Sequence, residues 1–544
     1  MKITRLLPWV IGAATAVASL LPIQASAEAD AEQIVRNSCL SCHTDEGSSA
    51  LPQSKGQKSA PQWSRISHQR KTPEGWLMSI ARMQVMHGLI ISDNDRRTLV
   101  KYLADRQGLA PEETTGFRYA MERRLNTQES FESEEFTQIC ARCHSGARVA
   151  LQRRPASEWE HLVHFHLGQW PTIEYQAMGR DRDWLGSALN SMVPQLAKQF
   201  PLESKVWSDW QSAQKPSLAG SWRFAGSAAG RGDVEGSMSI TGSDEKGYQL
   251  ELMGSYADGT AFKGRGQGIV YTGYEWRANL NIAGVAMRQV FAASKDGSRL
   301  EGRMFEALHD EVGMDISALK DTGVTNQILT VQPSYIKAGE TQKLTIVGNN
   351  LKGKLSLGQD IQISKVLEKG KNKILVEVRA DTKAKLGGRS VTVGKSKGGD
   401  LQVYDRIASI QVVPNFSVAR VGGNGGSTPK VTSAFQAEAW APGLDGKAGT
   451  DDDLRIGFIP ASWHVEPFDE AAKADKDTRF AGTMDATRGV FSPALAGPNP
   501  DRRMSTNNAG NLKVVAKLTD GDTTLQAEGQ LIVTVQRWNN PPLP

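Results

Sequence analysis

A helical N-terminal region followed by a long all-β region is the architecture that this sequence predicts, and three observations predict it. Up to about Lys215-Pro216 apolar residues recur at helical spacing. Beyond that point short alternating stretches are separated by Gly, Asp-Gly and Ser clusters. At 544 residues the chain is too long for one core, so several domains are expected. All four cysteines fall in the N-terminal part, in two Cys-x-x-Cys-His units. These changes of texture divide the chain into 1–27, 28–110, 111–215, 216–325, 326–405 and 406–544.

Composition bounds the function. Hydrophobic residues make up 39% and charged residues 23%, ordinary values for a globular protein. A formal net charge of +5 is small for this length, and no long basic run points to a nucleic-acid partner. Residues 1–27 read as a secretory signal peptide. Lys2 and Arg5 precede an apolar stretch from Leu6 to about Pro22, and Ala25-Ser26-Ala27 gives the small-x-small cleavage pattern before Glu28. The run is short and nothing anchors its far end, so an uncleaved membrane anchor is the lesser reading. After residue 28 no stretch is apolar for long enough to span a bilayer. The mature chain is expected outside the cytoplasm.

The cysteines carry the chemistry. Cys39-Leu-Ser-Cys42-His43 and Cys140-Ala-Arg-Cys143-His144 match the attachment motif for c-type haem. Each thiol adds across a haem vinyl group, and the adjacent imidazole becomes the proximal iron ligand. A split zinc site, a redox dithiol and disulfides are the competing readings. Zinc would not need His directly after both pairs, and disulfides at this spacing would close unusually tight loops. The expected cofactors are therefore two covalent haems c, with His43 and His144 as proximal ligands and no thiol left for a disulfide.

Each motif is followed by a proline-led helix. Pro73-Glu-Gly-Trp76 opens one, with Trp76, Ile80, Met83 and His87 at helical spacing; Pro155-Ala-Ser-Glu-Trp159 opens the other, with Trp159, Val163 and His166. Met83 lies seven residues beyond Trp76, and His166 seven beyond Trp159. Read as an internal repeat of two cytochrome modules, this alignment puts Met83 and His166 in the distal positions. Rivals stand close by: His68, Met86 and His87 in the first module, His161 and His164 in the second. Methionine at helical spacing is more often core than ligand. A His/Met pair on the first iron and a His/His pair on the second would stagger the two potentials.

A second helix is expected to close each module. Ser92 is a candidate N-cap for Asp93 to Leu103, with an acidic first turn and an apolar stripe ending before Gly108. A less tidy counterpart runs from Asp183 to Phe200, interrupted by Pro194.

The β region divides in three. Ser237–Thr241, Tyr248–Met253, Gly268–Tyr271 and Trp276–Ile282 alternate, with hairpin signals at Asp258-Gly259 and Asp296-Gly297, so residues 216–325 predict an antiparallel barrel-like domain. Leu344–Val347, Ile374–Val378 and Ser390–Val393 predict an immunoglobulin-like sandwich over 326–405. A second one is expected over 406–544, ending on Leu531–Val535 around a loop-rich middle. Catalytic candidates are few here. His309 and His464 are isolated, which favours a structural or surface role. No Gly-x-Ser-x-Gly elbow, phosphate loop or dinucleotide fingerprint is present. Asp445, Asp451, Asp452 and Asp453 cluster beside glycines and could bind calcium, but the EF-hand spacing is missing and a solvated turn is the better reading.

Taken in this order, the domains resemble the α subunit of quinohaemoprotein amine dehydrogenase. Local strings carry the likeness: Cys140-Ala-Arg-Cys143-His144-Ser-Gly-Ala-Arg, Trp159-Glu-His-Leu-Val-His-Phe-His166-Leu-Gly-Gln-Trp170, Gly179-Arg-Asp-Arg-Asp-Trp184, and Val270-Tyr-Thr-Gly-Tyr-Glu-Trp276-Arg. The resemblance implies a periplasmic heterotrimer. A small γ subunit would hold a cysteine tryptophylquinone that oxidises primary amines to aldehyde and ammonia, and a β-propeller β subunit would complete the enzyme. The diheme α subunit would pass electrons to a small cytochrome c or a blue copper protein. This chain has no spare Cys from which to build a Cys–Trp quinone, so amine oxidation is expected on another chain. Two alternatives belong to other classes. A diheme peroxidase-like enzyme would need an open distal position on one iron, and a free-standing electron carrier with β adhesion modules would purify alone.

Overall fold

The computed structural model describes residues 23–49, 60–118, 129–170, 173–174, 180–426, 428–443, 445–502 and 506–535. Most of the predicted leader, residues 1–22, lies outside them.

Short helices build the N-terminal region. Helix α1 (Ile23–Ser38) delivers the chain directly to Cys39. Its Ala31 and Val35 pack with Trp63, Leu99, Val100 and Leu103. Helix α2 (Pro73–His87) starts where Thr72 accepts from the Gly75 N–H and Pro73 occupies the first turn; it stops at Gly88, whose φ of 74° a side chain would resist. Helix α3 (Asp93–Arg106) is capped by Ser92, whose hydroxyl accepts from the Asp95 N–H, as its sequence predicts. In the second unit, helix α4 (Ala156–Gln169) follows Pro155. The run from Trp184 to Gln199 is helical throughout, so Pro194 does not interrupt it. Instead Ala188–Met192 widens to a π-turn before helix α5 (Val193–Gln199). The wider turn relieves the clash between the proline ring and the preceding turn. Helix α6 (Lys205–Ser212) ends the region.

The two units repeat each other about a local two-fold relation. Arg70 and Arg153, which stand equally far before Trp76 and Trp159, face one another in a short antiparallel pairing. The Lys71 N–H donates to the Gln107 carbonyl at the end of α3, and the Arg154 N–H donates to the Phe200 carbonyl at the end of α5. Both arginines of the pair converge on Glu113. Arg70 donates to both carboxylate oxygens at 2.8 Å, and Arg153 Nε lies 3.3 Å away. The Ala110 N–H and the Ser204 hydroxyl complete the shell at 2.9 and 3.0 Å. Burial pushes the Glu113 carboxyl up, but the Arg70 hydrogen bonds and charge, the Ala110 amide and Arg153 outweigh it and hold it below its ordinary value.

Eight antiparallel strands from Gly220 to Asp321 form a closed up-and-down barrel, each paired with its sequence neighbours and the last with the first. The hairpins expected at Asp258-Gly259 and Asp296-Gly297 join its strands. Its interior is filled by Trp222, Phe224, Met238, Trp276 and Phe291. Gln289, also buried, accepts from the Trp276 indole at 2.9 Å and donates to the Met304 thioether at 3.5 Å.

Because strands alternate in direction, every second turn lies at the same end. The turns at 244–246, 272–274 and 294–298 form the end that meets the helical region. There Asp244 pairs with Lys101 at 3.0 Å and Lys295 pairs with Glu112. The Thr272 N–H donates to Asp105 at 2.7 Å, and its hydroxyl donates to the Ala104 carbonyl at 2.9 Å. Arg277 forms a fork on Glu74 at 2.6 and 3.1 Å. The opposite end and the side of the barrel meet the later sheets: Gln332 donates to the Gly226 carbonyl, Gln436 to Ser227 and Arg488 to the Gly230 carbonyl, while Asn349 donates to the Lys320 carbonyl at 3.2 Å nearer the helical end. Residues 327–404 form two four-stranded sheets over one core of Leu344, Ile346, Val376, Val391 and Leu401. Residues 409–534 form one four-stranded and two three-stranded sheets around Phe435, Phe491 and Val514, with two short helices in the loop-rich middle.

Removing the Glu113 carboxylate would strand two buried guanidinium groups. Glu113→Ala is expected to destabilise the helical region by about 3–5 kcal/mol in denaturant titration; a loss under 1 kcal/mol would show that the pair is dispensable. Burial raises the Glu74 carboxyl, but the charge and hydrogen bonds of Arg277 together with Arg288 bring it from 4.5 down to about 2. Its stabilisation is therefore complete above pH 4.5 and is lost as pH falls towards 2. Across that window, the acid-induced fall in melting temperature should be shallower in Glu74→Gln than in the wild type.

Candidate functional site

Each Cys-x-x-Cys-His unit is carried on, or directly after, a helical turn. In the first, α1 runs out at Ser38 and the motif continues as a turn, with the His43 N–H donating to the Cys39 carbonyl at 3.0 Å. In the second, Cys140 lies in a π-turn spanning Thr137–Ala141. Cys39 and Cys140 are half-buried, Cys42 and Cys143 exposed, and all four thiols are unbridged. Burial pushes the Cys39 thiol up to about 11 and Cys140 to about 12, so neither is poised as a free nucleophile.

The imidazoles are held in one tautomer. His43 Nδ1 lies 2.9 Å from the Ser64 carbonyl, His144 Nδ1 2.9 Å from that of Ser145, and His166 Nδ1 2.7 Å from that of Leu162. A carbonyl only accepts, so each Nδ1 carries the proton and each Nε2 keeps its lone pair for a metal. Burial also lowers His144 and His166 below the ordinary imidazole value against the pull of their carbonyl hydrogen bonds, with Arg148 adding to the fall at His144, where Glu129 opposes it, and Arg82 and Arg154 adding at His166. His166 is close enough to His144 to perturb it, and its ring lies 6.0 Å from that of Trp184. The chain thus brings His144 and His166 to one place.

Met83 is half-buried one turn before the end of α2, with its carbonyl accepting from the Gly88 N–H. The rivals are differently placed. Met86 and His87 are exposed. His68 is occupied by Glu46 at 2.9 Å, His161 by Glu158 at 3.2 Å, and His164 faces Glu160 at 3.8 Å. In the β region His309 pairs with Glu306 and His464 with Glu466. The Asp445–Asp453 carboxylates accept from their own loop, at Lys447, Gly449 and Thr450.

These positions suit a haem. Two oriented imidazoles lie within electrostatic reach of each other in the second unit, and the indole Nε1 of Trp63, next to the Ser64 carbonyl that holds His43, is a buried donor without a partner among the described residues. A group from outside the chain would satisfy it.

Some contributors leave no mark in a one-dimensional reading. Glu129 accepts from the Ser145 hydroxyl and from the N–H groups of Gly146 and Ala147 at 2.7–3.0 Å, which braces the loop that carries His144. Ser64 orients His43 through its carbonyl, which no side-chain motif could disclose.

Four family models match the chain in order. Residues 29–207 match "Quinohemoprotein amine dehydrogenase A, alpha subunit, haem binding", 215–321 match alpha subunit domain II, 325–405 domain III and 410–543 domain IV. No curated protein sequence matches. Among solved structures, a redesigned β barrel, mFAP1, bound to DFHBI is 16% identical, covering 19% of this chain and 94% of that one at a TM-score of 0.17. A Bacteroides ovatus glucan-utilisation protein, SGBP-B, is 11% identical over 61% of this chain and 71% of its own at 0.18. The zebrafish RET cadherin-like domains 1 to 4 are 11% identical over 57% and 66% at 0.17. Scores this low carry no argument.

Glu129→Ala leaves the Gly146 amide without its acceptor and the Ala147 amide with only the Ser145 hydroxyl at 3.2 Å, a cost of about 1–3 kcal/mol for the loop. Faster hydrogen exchange at Gly146 and Ala147 is expected, with unchanged exchange in the barrel strands; unchanged protection at the two amides would count against the bracing role.

Proposed function

The chain belongs to the quinohemoprotein amine dehydrogenase alpha-subunit family, and from that premise we propose that it is the diheme electron-transfer subunit of a periplasmic amine dehydrogenase. It relays electrons from a quinone cofactor on a small partner subunit, where primary amines become aldehyde and ammonia, to a soluble cytochrome c or blue copper protein. The observation that carries this reading is the match of haem-binding region and domains II, III and IV, in order, to a chain whose four cysteines all lie in two Cys-x-x-Cys-His units.

Covalent haem supplies one-electron chemistry at the metal, and the chain's own residues hold and tune it. Cys39 and Cys42 anchor one group, Cys140 and Cys143 the other. His43 and His144 present Nε2 to the irons because Ser64 and Ser145 fix their rings. His166 completes the second site: its ring is oriented by Leu162 and it stands within electrostatic reach of His144. Met83 is the distal residue of the first site by its equivalence to His166. A β-propeller subunit and the quinone-bearing γ subunit complete a heterotrimer, with the three β domains as scaffold, the last two immunoglobulin-like. The segment 1–27 directs export.

The test is purification from the periplasm with a redox-cycling stain for quinone on any co-purifying small chain. A stained partner and haem reduction on adding a primary amine support the proposal; a diheme chain that emerges alone and is not reduced by amine defeats it. Haem content and potential check the ligands. Cys140→Ala/Cys143→Ala should retain one covalent haem per chain. His166→Met should raise one of two midpoint potentials, since a thioether favours the reduced iron; an unshifted pair of waves would remove His166 from the coordination sphere.

A further inference from the structure

Where the two cytochrome units meet, positive charge is buried in excess. Lys71, immediately before α2, is 7% exposed. Its ammonium donates to the Ser79 hydroxyl at 2.6 Å and sits 5.6 Å above the Trp76 ring. Arg154, its counterpart before α4, is 6% exposed and lies over Trp159 at 5.8 Å. It donates to Gln69 and Gln152 at 2.6 and 3.0 Å. Arg82 of α2 crosses to the other unit and lies 5.1 Å over the Phe165 ring. Arg82 and Phe165 occupy equivalent places in the repeat, one residue before Met83 and His166, so this contact lies where the local two-fold relates the units.

Lys71 is near enough to both arginines to feel their charge, and Arg154 feels that of Arg82. Lys71 is lowered well below its ordinary value by burial and then by Arg154 and Arg82; Arg154 is lowered to about 10 by burial, against the pull of Glu158 and with Arg82 and Arg65 adding to the fall. Both Arg82 and Arg154 also act on His166. Against them stands one buried carboxylate, Glu158, 3.5 Å from Arg154 and shared with His161 at 3.2 Å and His68 at 4.0 Å. Among the described residues no carboxylate lies within ion-pairing distance of Lys71 or Arg82. Burying an unpaired cation is costly, so a junction that holds buried Lys71 and half-buried Arg82 with no carboxylate on either, beside an Arg154 that shares its one carboxylate, suits anions that come from outside the chain.

We propose that Lys71, Arg82 and Arg154 form a shared seat for haem propionate carboxylates at the junction of the two units, and that Arg82, contributed by the first unit, sets the potential of the haem held by the second. This rests on the diheme reading above. A haem carries two carboxylates, the correct chemistry to pair with two guanidinium forks and an ammonium. A fixed positive charge beside the iron favours the reduced form, which bears one positive charge fewer. Arg82 is accordingly a positioning and tuning residue that acts on a neighbouring unit's cofactor. It also makes the first unit an electrostatic part of the second site.

The experiment is a spectroelectrochemical titration of the whole purified chain, or of its complex, in Arg82→Gln and Arg82→Lys variants. The wave belonging to the second haem is identified independently by its response to His166→Met. Arg82→Gln is expected to shift that wave to lower potential by roughly tenfold in the reduced-to-oxidised ratio, which is 59 mV for a one-electron couple; the first haem should shift less. Arg82→Lys, which keeps the charge, should restore most of it, and Lys71→Met should shift in the same direction. If both haems are bound and neither Arg82→Gln nor Lys71→Met moves the second wave, the seat is refuted. Should Arg82→Gln fail to fold, Lys71→Met alone decides. A pyridine haemochrome assay on the wild-type chain separates the two levels: a count other than two haems defeats the diheme reading itself, whereas two haems with an unmoved wave defeat only this inference.

Discussion

One carboxylate holds the helical region together. Glu113 takes the guanidinium fork of Arg70 from one helical unit and the Nε of Arg153, at 3.3 Å, from the other, and is itself fastened to the Ala110 amide and the Ser204 hydroxyl. Arg70 goes further, donating to the carbonyls of Leu202 and Gly108 and stacking on Trp207 at 4.7 Å. Without that anion two buried cations would face each other across a short β-pairing, and like charges at such range in a low-dielectric interior repel strongly. The two units can sit face to face because Glu113 neutralises their shared edge. The placing of α2 beside α4, and hence of Arg82 beside His166, depends on it.

The second attachment is the turn that follows Val270. Tyr271 packs against the core of the first unit, Thr272 hydrogen-bonds to the end of α3, and Tyr274 is buried with its hydroxyl 3.1 Å from Thr114. The Trp210 indole closes the contact by donating to the Thr272 carbonyl at 2.9 Å. Thr272 adopts a φ of 55°, unusual for a β-branched residue, and is held there by these bonds. A string that in the sequence carries only a family likeness is, in three dimensions, the joint between haem region and barrel.

Local chemistry was legible in the sequence; long-range pairing was not. The cap at Ser92, the two named hairpins of the barrel and the Cys-x-x-Cys-His motifs each depend on a few neighbouring residues, and a linear reading finds them. Pro194 misled in the other direction. A proline in a helical pattern suggests an interruption, and here a π-turn absorbs the strain while packing around Met192 and Leu196 keeps the helix running. Glu113, Glu129 and Ser64 carried no signal because their roles come from partners far along the chain or from a backbone carbonyl. The order of domains told more than any single motif in the β region, where isolated histidines and the Asp445–Asp453 loop turned out to be paired locally.

The filled barrel has a mechanical consequence. Its interior holds tryptophan, phenylalanine and methionine side chains around one hydrogen-bonded glutamine, so its wall is braced from within. One end is held by the N-terminal helices, while the sheets of residues 327–404 lie along its side, from Asn349 at the Leu319 and Lys320 carbonyls to Gln332 at the Gly226 carbonyl. The barrel is therefore a stiff splint: a load taken by the later sheets passes along its wall, strand by strand, to the turns that grip the helices.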